Sequence, residues 1–146
     1  MDRHADGGVE TDGLIAPATA AEARERYEAL GPPAQTVVRE VAKAMSFDRE
    51  EYAERVTGEV VGTARDALFA SLLEVRVGSL TAFESWREDH DGPVHVTGSE
   101  NVDRAVWHAG PGGETVAATF QAERDAAVAT LRRQAFGRLY REVVRE

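Results

Sequence analysis

A chain of 146 residues is long enough to bury one hydrophobic core without disulfides or a structural metal. It has no cysteine, which excludes thiol nucleophiles, iron–sulfur clusters and cysteine-ligated zinc, and no apolar run approaches the ~20 residues that span a bilayer. The formal charge of −9 disfavours nucleic acid as a partner, because phosphate contacts need a basic surface.

The acidity has a particular make-up. Lys43 is the single lysine among 17 basic residues and Ile15 the single isoleucine, while alanine and valine abound. Such a chain is expected where a salt-filled cytoplasm screens the repulsion between surface carboxylates. At ~1 M salt the Debye length is about 3 Å, so long-range steering nearly vanishes. The start, "MDRHADGGVETDG", is polar and has no signal-peptide hydrophobic region. The expectation is a soluble, cytoplasmic protein that does not enter a membrane.

Residues 1–18 lack periodicity and read as a disordered or loosely tethered arm, leaving residues 19–146 as a single domain. "ATAAEARERYEAL" (18–30) has helix-forming composition, with Thr19 and Glu22 spaced as a capping box; Gly31-Pro32-Pro33 stops it. "AQTVVREVAKAMSF" (34–47) places Val37, Val38, Val41, Ala42 and Met45 on one helical stripe. Residues 48–75 read as a helix opened by Asp48 and Glu51, with apolar positions from Tyr52 to Val75. Gly58 and Gly62 weaken it and offer a place to split. "LLEVRV" (72–77) either ends that helix or adds a strand. "TAFESW" (81–86) is a short helix with Thr81 and Glu84 as its capping pair, burying Phe83 and Trp86.

The pattern then turns to period two. "VHVT" (94–97), "RAVWHA" (104–109) and "ETVAATF" (114–120) read as strands, with "GPGG" (110–113) as a hairpin turn. Residues 122–144 return to helix, with Val128, Leu131, Ala135, Leu139 and Val143 as its apolar seam. The expected architecture is α+β: N-terminal helices, a three-stranded antiparallel meander, and a long C-terminal helix packed on the sheet.

The most chemically suggestive stretch is "HDGPVH" (90–95). Pairing Thr97 with Arg104, and Ala109 with Glu114, gives both hairpins one apolar face: Val94, Val96, Ala105, Trp107, Val116 and Ala118. The other face then carries His95, Thr97, Arg104, Val106, His108, Thr115, Ala117 and Thr119. His95 and His108 become diagonal neighbours there, roughly 7–8 Å apart. Two imidazoles leave zinc short of its three or four ligands; Asp89, His90 or Asp91 would complete the set only if the turn folded back over the sheet. Three readings follow: an ordinary turn with half-exposed histidines, a metal or acid–base site, or a contact surface. The candidate contact or ligand patch is His95, Arg104, His108, Thr115 and Thr119.

Gln134, Arg138, Arg141 and Arg145 share one face of the closing helix. Arg138, Arg141 and Arg145 form a candidate anion stripe, although cations near a helix C-terminus are also expected on general grounds. "GPGGE" lacks the lysine of a phosphate loop, and no ExxH, HExxH or GxSxG pattern occurs. No catalytic residue, metal ligand or cofactor is assigned, and the balance leans away from an enzyme.

The segments "ALGPPAQTVVREVAKAMSFDREEYAERVTGEVV", "ARDALFASLLEVRVG", "SENVDRAVWHA" and "LRRQAFGRLYREVV" resemble a family of small haloarchaeal proteins described only as a domain of unknown function. The resemblance covers roughly residues 15 to 144. It implies a salt-adapted cytoplasmic protein and carries no activity or site residue with it. The leading functional expectation is a non-enzymatic protein-interaction or regulatory domain, working with an unknown protein partner or as a homodimer. The alternative is a small ligand- or metal-binding protein, or an enzyme, using His95 and His108.

Overall fold

The computed structural model describes residues 8–145, so residues 1–7 of the expected arm lie outside the described residues. Residues 8–18 of that segment take part in the fold. Glu10–Asp12 forms strand β1, and Ile15 is buried and bridged to Leu73. Gly13, at φ +114°, lets the chain pass against its neighbour, since a Cβ there would fall 2.4 Å from the Leu73 carbonyl oxygen. A glycine required by tertiary contact looks, in sequence, like a glycine in a flexible tail.

Helix α1, Ala20–Ala29, starts at the expected cap: Thr19 Oγ1 accepts from the Glu22 N–H. The Glu22 carboxylate reaches back to the Ala18 N–H. Gly31-Pro32-Pro33 does more than stop α1; it opens α2, Gly31–Ala44, where proline costs no hydrogen bond. The expected stripe of α2 divides. Val38 and Ala42 are buried with Ala34, whereas Val37, Val41 and Met45 stay 43%, 52% and 59% exposed.

The expected long helix is two helices. Asp48 and Glu51 close a capping box on α3, Arg49–Arg55. Thr57 then caps α4, Gly58–Leu72, by accepting from Val60 N–H. A cap followed directly by glycine is where the split occurs. Residues 75–79 leave the helix as strand β2, Val75–Ser79. Ser79, not Thr81, caps α5, Leu80–Glu88, through Ala82 N–H.

The sheet has five strands in the order β1-β2-β4-β5-β3, which corrects the three-stranded meander. Strands β4 (Arg104–Ala109) and β5 (Thr115–Phe120) do form the expected hairpin. β3, Val94–Thr97, pairs with β5 in parallel rather than with β4, because β2 occupies the other edge of β4. Strand periodicity declares a strand but does not name its neighbour.

The hairpin register also differs by one residue. Ala109 stands opposite Thr115, not Glu114. The connection is a tight turn over Pro111–Gly113 with Gly112 and Gly113 at φ 77° and 86°, and it takes up one more residue than a two-residue hairpin loop would. A one-residue slip turns every β5 side chain over. Val116 and Ala118 therefore share a face with Val106 and His108, while Thr115 and Ala117 join Trp107.

Both faces are covered, so the expected solvated face is absent over the centre of the sheet. Phe69 of α4 and Leu131, Phe136 and Tyr140 of the closing helix cover Val75, Val77, Val106 and Val116. On the opposite face Phe83, with Trp86 against it, covers Ala105, Trp107 and Ala117. The closing helix α6, Arg124–Ala135, runs into one π turn, Phe136–Tyr140, where Arg141 N–H donates to the Phe136 carbonyl. The inserted residue moves the seam: Val128, Leu131, Ala135 and Leu139 are buried as expected, then Val144 instead of Val143. Among the described residues no helix is long and apolar enough to cross a membrane.

Candidate functional site

The three histidines of the strand region have separate structural partners. His90 stacks on Trp86, with ring centres 4.6 Å apart. Its Nε2–H donates to the Gly113 carbonyl at 2.6 Å, which clamps the "HDGPVH" turn onto the "GPGG" turn. Gly92 lies inside that clamp, where a Cβ would fall 1.9 Å from the Gly113 carbonyl oxygen. Gly92→Ala is expected to cost about 1–3 kcal/mol by overpacking backbone on backbone, read as a lower urea midpoint at unchanged slope. A wild-type midpoint would show that the two turns do not depend on this contact.

His95 lies at the sheet edge. Arg138 donates to its Nδ1 at 3.1 Å, so Nε2 carries the proton and donates to the Glu114 carboxylate at 2.6 Å. His108 is 1% exposed. Its Nδ1–H donates to the Glu74 carbonyl and its Nε2 accepts from the Tyr140 hydroxyl, both at 2.6 Å. Burial pulls the His108 pKa below its ordinary value, against the Glu74 hydrogen bond that favours the charged form. Burial raises the Tyr140 pKa.

The expected pairing of His95 with His108 is corrected. Each stands opposite Val116 on a different edge of β5, so a whole strand separates them. His108 and Thr115 are fully buried and cannot belong to an exposed patch. Arg104 lies 5.3 Å over the Phe120 ring, and Thr119 donates to the Ser99 carbonyl at 2.7 Å. The register slip and the parallel β3 disperse the set. Among the described residues no three His, Asp or Glu side chains are grouped to hold a metal ion.

The anion stripe is dispersed too. Arg138 goes to His95, and Arg145 forms an ion pair with Asp66, which also accepts from the Tyr27 hydroxyl at 2.6 Å. Arg141 alone turns to a groove of about 470 Å³ between α4 and α6. Ala67, Ala70, Ala129 and Phe136 give it an apolar lining, and Arg132, Arg133 and Arg141 stand around it with Asp66, whose carboxylate is paired with Arg145.

The π turn builds this arrangement. Its hydrogen bond joins Arg141 to Phe136, and the Arg141 guanidinium lies 5.7 Å over the Phe136 ring. Arg132 is committed inward, donating to the Leu73 and Asp12 carbonyls at 2.9 and 3.1 Å and so tying β1 to the helix. Arg133 donates to Thr130 at 3.3 Å. Neither Arg133 nor Arg141 has a carboxylate partner among the described residues. Sequence reasoning missed Arg133 and the alanine lining. Their signal, small residues on two facing helices, has meaning only once the helices are known to pack.

A family model described as "Family of unknown function (DUF5809)" matches residues 14–141. No curated protein and no solved structure matches the chain.

Proposed function

The chain belongs to DUF5809, a family of unknown function, and from that premise we propose that it is a non-enzymatic protein-contact domain whose partner docks in the groove between α4 and α6. The observation that carries the reading is an apolar lining flanked by two exposed arginines without carboxylate partners, on a chain of net charge −9. Charge complementarity selects the occupant: an acidic segment that presents one apolar anchor side chain.

The division of labour is physical. About 470 Å³ admits an anchor side chain or two rather than a whole helix. Burying that anchor on Phe136 and the alanines supplies affinity. Carboxylates beside it meet planar guanidinium groups, which recognise them through two parallel hydrogen bonds. Elsewhere the carboxylate-rich surface repels the same segment, so the arginines also set its register. In a salt-filled cytoplasm, the setting we propose on composition, screening shifts the weight of binding to the anchor.

The test is a selection from a random displayed-peptide library against the immobilised protein. Selected peptides are expected to share an aromatic or aliphatic residue flanked by Asp or Glu. Arg133→Glu and Arg141→Glu, both at exposed positions, are expected to weaken them roughly tenfold each or more while each variant still melts cooperatively as a folded protein. Peptides without acidic residues, peptides indifferent to both reversals, or an empty selection would overturn the reading.

A further inference from the structure

On the opposite face of the sheet, a second cleft of about 680 Å³ runs between α5 and strands β1 and β2. Two polar groups around it, one fully buried and one half-buried, lack hydrogen-bond and ion-pair partners among the described residues. Trp107, at the cleft floor, is fully buried, and its indole Nε1–H has no acceptor. An unpaired buried donor of this kind costs about 1–3 kcal/mol.

Arg76 is half-buried in the cleft wall and lies 5.9 Å from the Trp86 ring centre. Its guanidinium makes no ion pair or hydrogen bond to the described residues, although the protein has an excess of carboxylates. Asp89, exposed at the rim of the cleft, caps the C-terminal end of α5. A carboxylate at that end opposes the helix dipole, and no cation compensates it within ion-pair distance. Arg76 and Asp89 line one cleft without pairing with each other.

Natural chains break local rules of partnering chiefly where function requires it. Two such departures, with a carboxylate on the rim, converge on one concave surface and point to a binding site. We infer that this cleft binds a small zwitterion, a free α-amino acid with an apolar side chain. Arg76 receives the carboxylate through parallel N–H donors. Asp89 receives the ammonium group, the ligand carboxylate also accepts from the Trp107 indole N–H, and the side chain lies towards Trp86. Hydroxyls of Thr81 and Ser85, also in the lining, complete a polar wall. The inference is independent of the groove on the other side.

The chain contains two tryptophans, and both line this cleft. Intrinsic tryptophan emission therefore reports on it directly. L-leucine and L-methionine, which do not fluoresce, are the probes, titrated into the full chain at millimolar concentrations. A saturable emission change is expected, weakened roughly tenfold or more in Arg76→Gln and in Asp89→Asn. Each weakened partner also has a chemical counterpart. N-acetyl-leucine, lacking the ammonium, is expected to bind weakly and to be indifferent to Asp89→Asn. Leucinamide, lacking the carboxylate, is expected to be indifferent to Arg76→Gln. Thermal melts of both variants exclude misfolding as the cause of any loss. Absence of a saturable change with either amino acid, equal binding of N-acetyl-leucine and leucine, or binding unaffected by both substitutions would overturn the inference.

Discussion

Phe69→Ala is expected to remove about 3–5 kcal/mol of folding stability. The ring is fully buried and meets Tyr27, Phe136 and Tyr140 edge-on, with centres 5.8, 5.8 and 5.2 Å away. These three partners come from α1 and from the π turn, so Phe69 is where α1, α4 and the closing helix are joined. Edge-to-face pairs contribute about 0.5–1.5 kcal/mol each beyond area burial, and the cavity left by alanine would be lined by rigid rings that cannot collapse into it. Phe69→Leu keeps most of the volume and is expected to cost less than half as much, roughly 1–2 kcal/mol. Urea denaturation of both variants measures the difference. A loss below about 1 kcal/mol for alanine would mean that the aromatic cluster does not hold these helices together.

Acidification gives the second large effect. The unfolded state binds a proton at His108 near the ordinary value of 6.5, while burial holds the folded value lower. Between those two values the unfolded chain carries the extra proton, so stability falls as pH falls. The His108 contribution has a slope of up to about 1.4 kcal/mol per pH unit. Protonation also abolishes the acceptor that Nε2 offers the Tyr140 hydroxyl.

Tyr140 acts at the other end of the scale. Its folded pKa is raised from 10.0, so the unfolded chain ionises first, and stability falls as pH rises above that value. Tyr140→Phe keeps the ring but leaves His108 Nε2 without its donor, at an expected cost of about 1–3 kcal/mol near neutral pH. His108→Gln is expected to flatten the acid limb between pH 6.5 and the carboxylate range. An acid limb identical to wild type in that variant would remove His108 as its source.

What was legible in the sequence was local. Thr19 and the Asp48–Glu51 pair act within one helical turn, and their caps appear where their spacing puts them. The alternation in 104–109 and 114–120 declares two paired strands. Relations across the chain were not legible. β2 reads equally as the tail of α4 or as a strand, because Leu72, Leu73 and Val75 suit either period, and without it β4 lacks a neighbour that β3 then seems to supply. Val37, Val41 and Met45 read as core because periodicity defines an apolar stripe without saying which half of it meets another helix.

The candidate patch is dispersed for a related reason. The two imidazoles of "HDGPVH" are close in sequence, but their partners lie at Gly113, Glu114 and Arg138. His108 likewise finds Glu74 and Tyr140. A polar side chain advertises that it needs a partner; only the fold says whether the partner is the protein itself. The arginine stripe shows the same limit. Regular helical geometry groups Arg138, Arg141 and Arg145, and the π turn with its neighbours sends them to three different environments, only one of which is the groove.

The most direct measurement of the central claim is an amide chemical-shift map of the isotope-labelled chain, titrated with the tightest peptide from the library selection. The groove account predicts that perturbations concentrate at Ala67, Ala70, Ala129, Phe136 and Arg141, on the facing sides of α4 and α6. They should spare the exposed stripe at Val37, Val41 and Met45 and the cluster around His95. Perturbations centred on α2 or on His95, with the groove unmoved, would contradict it.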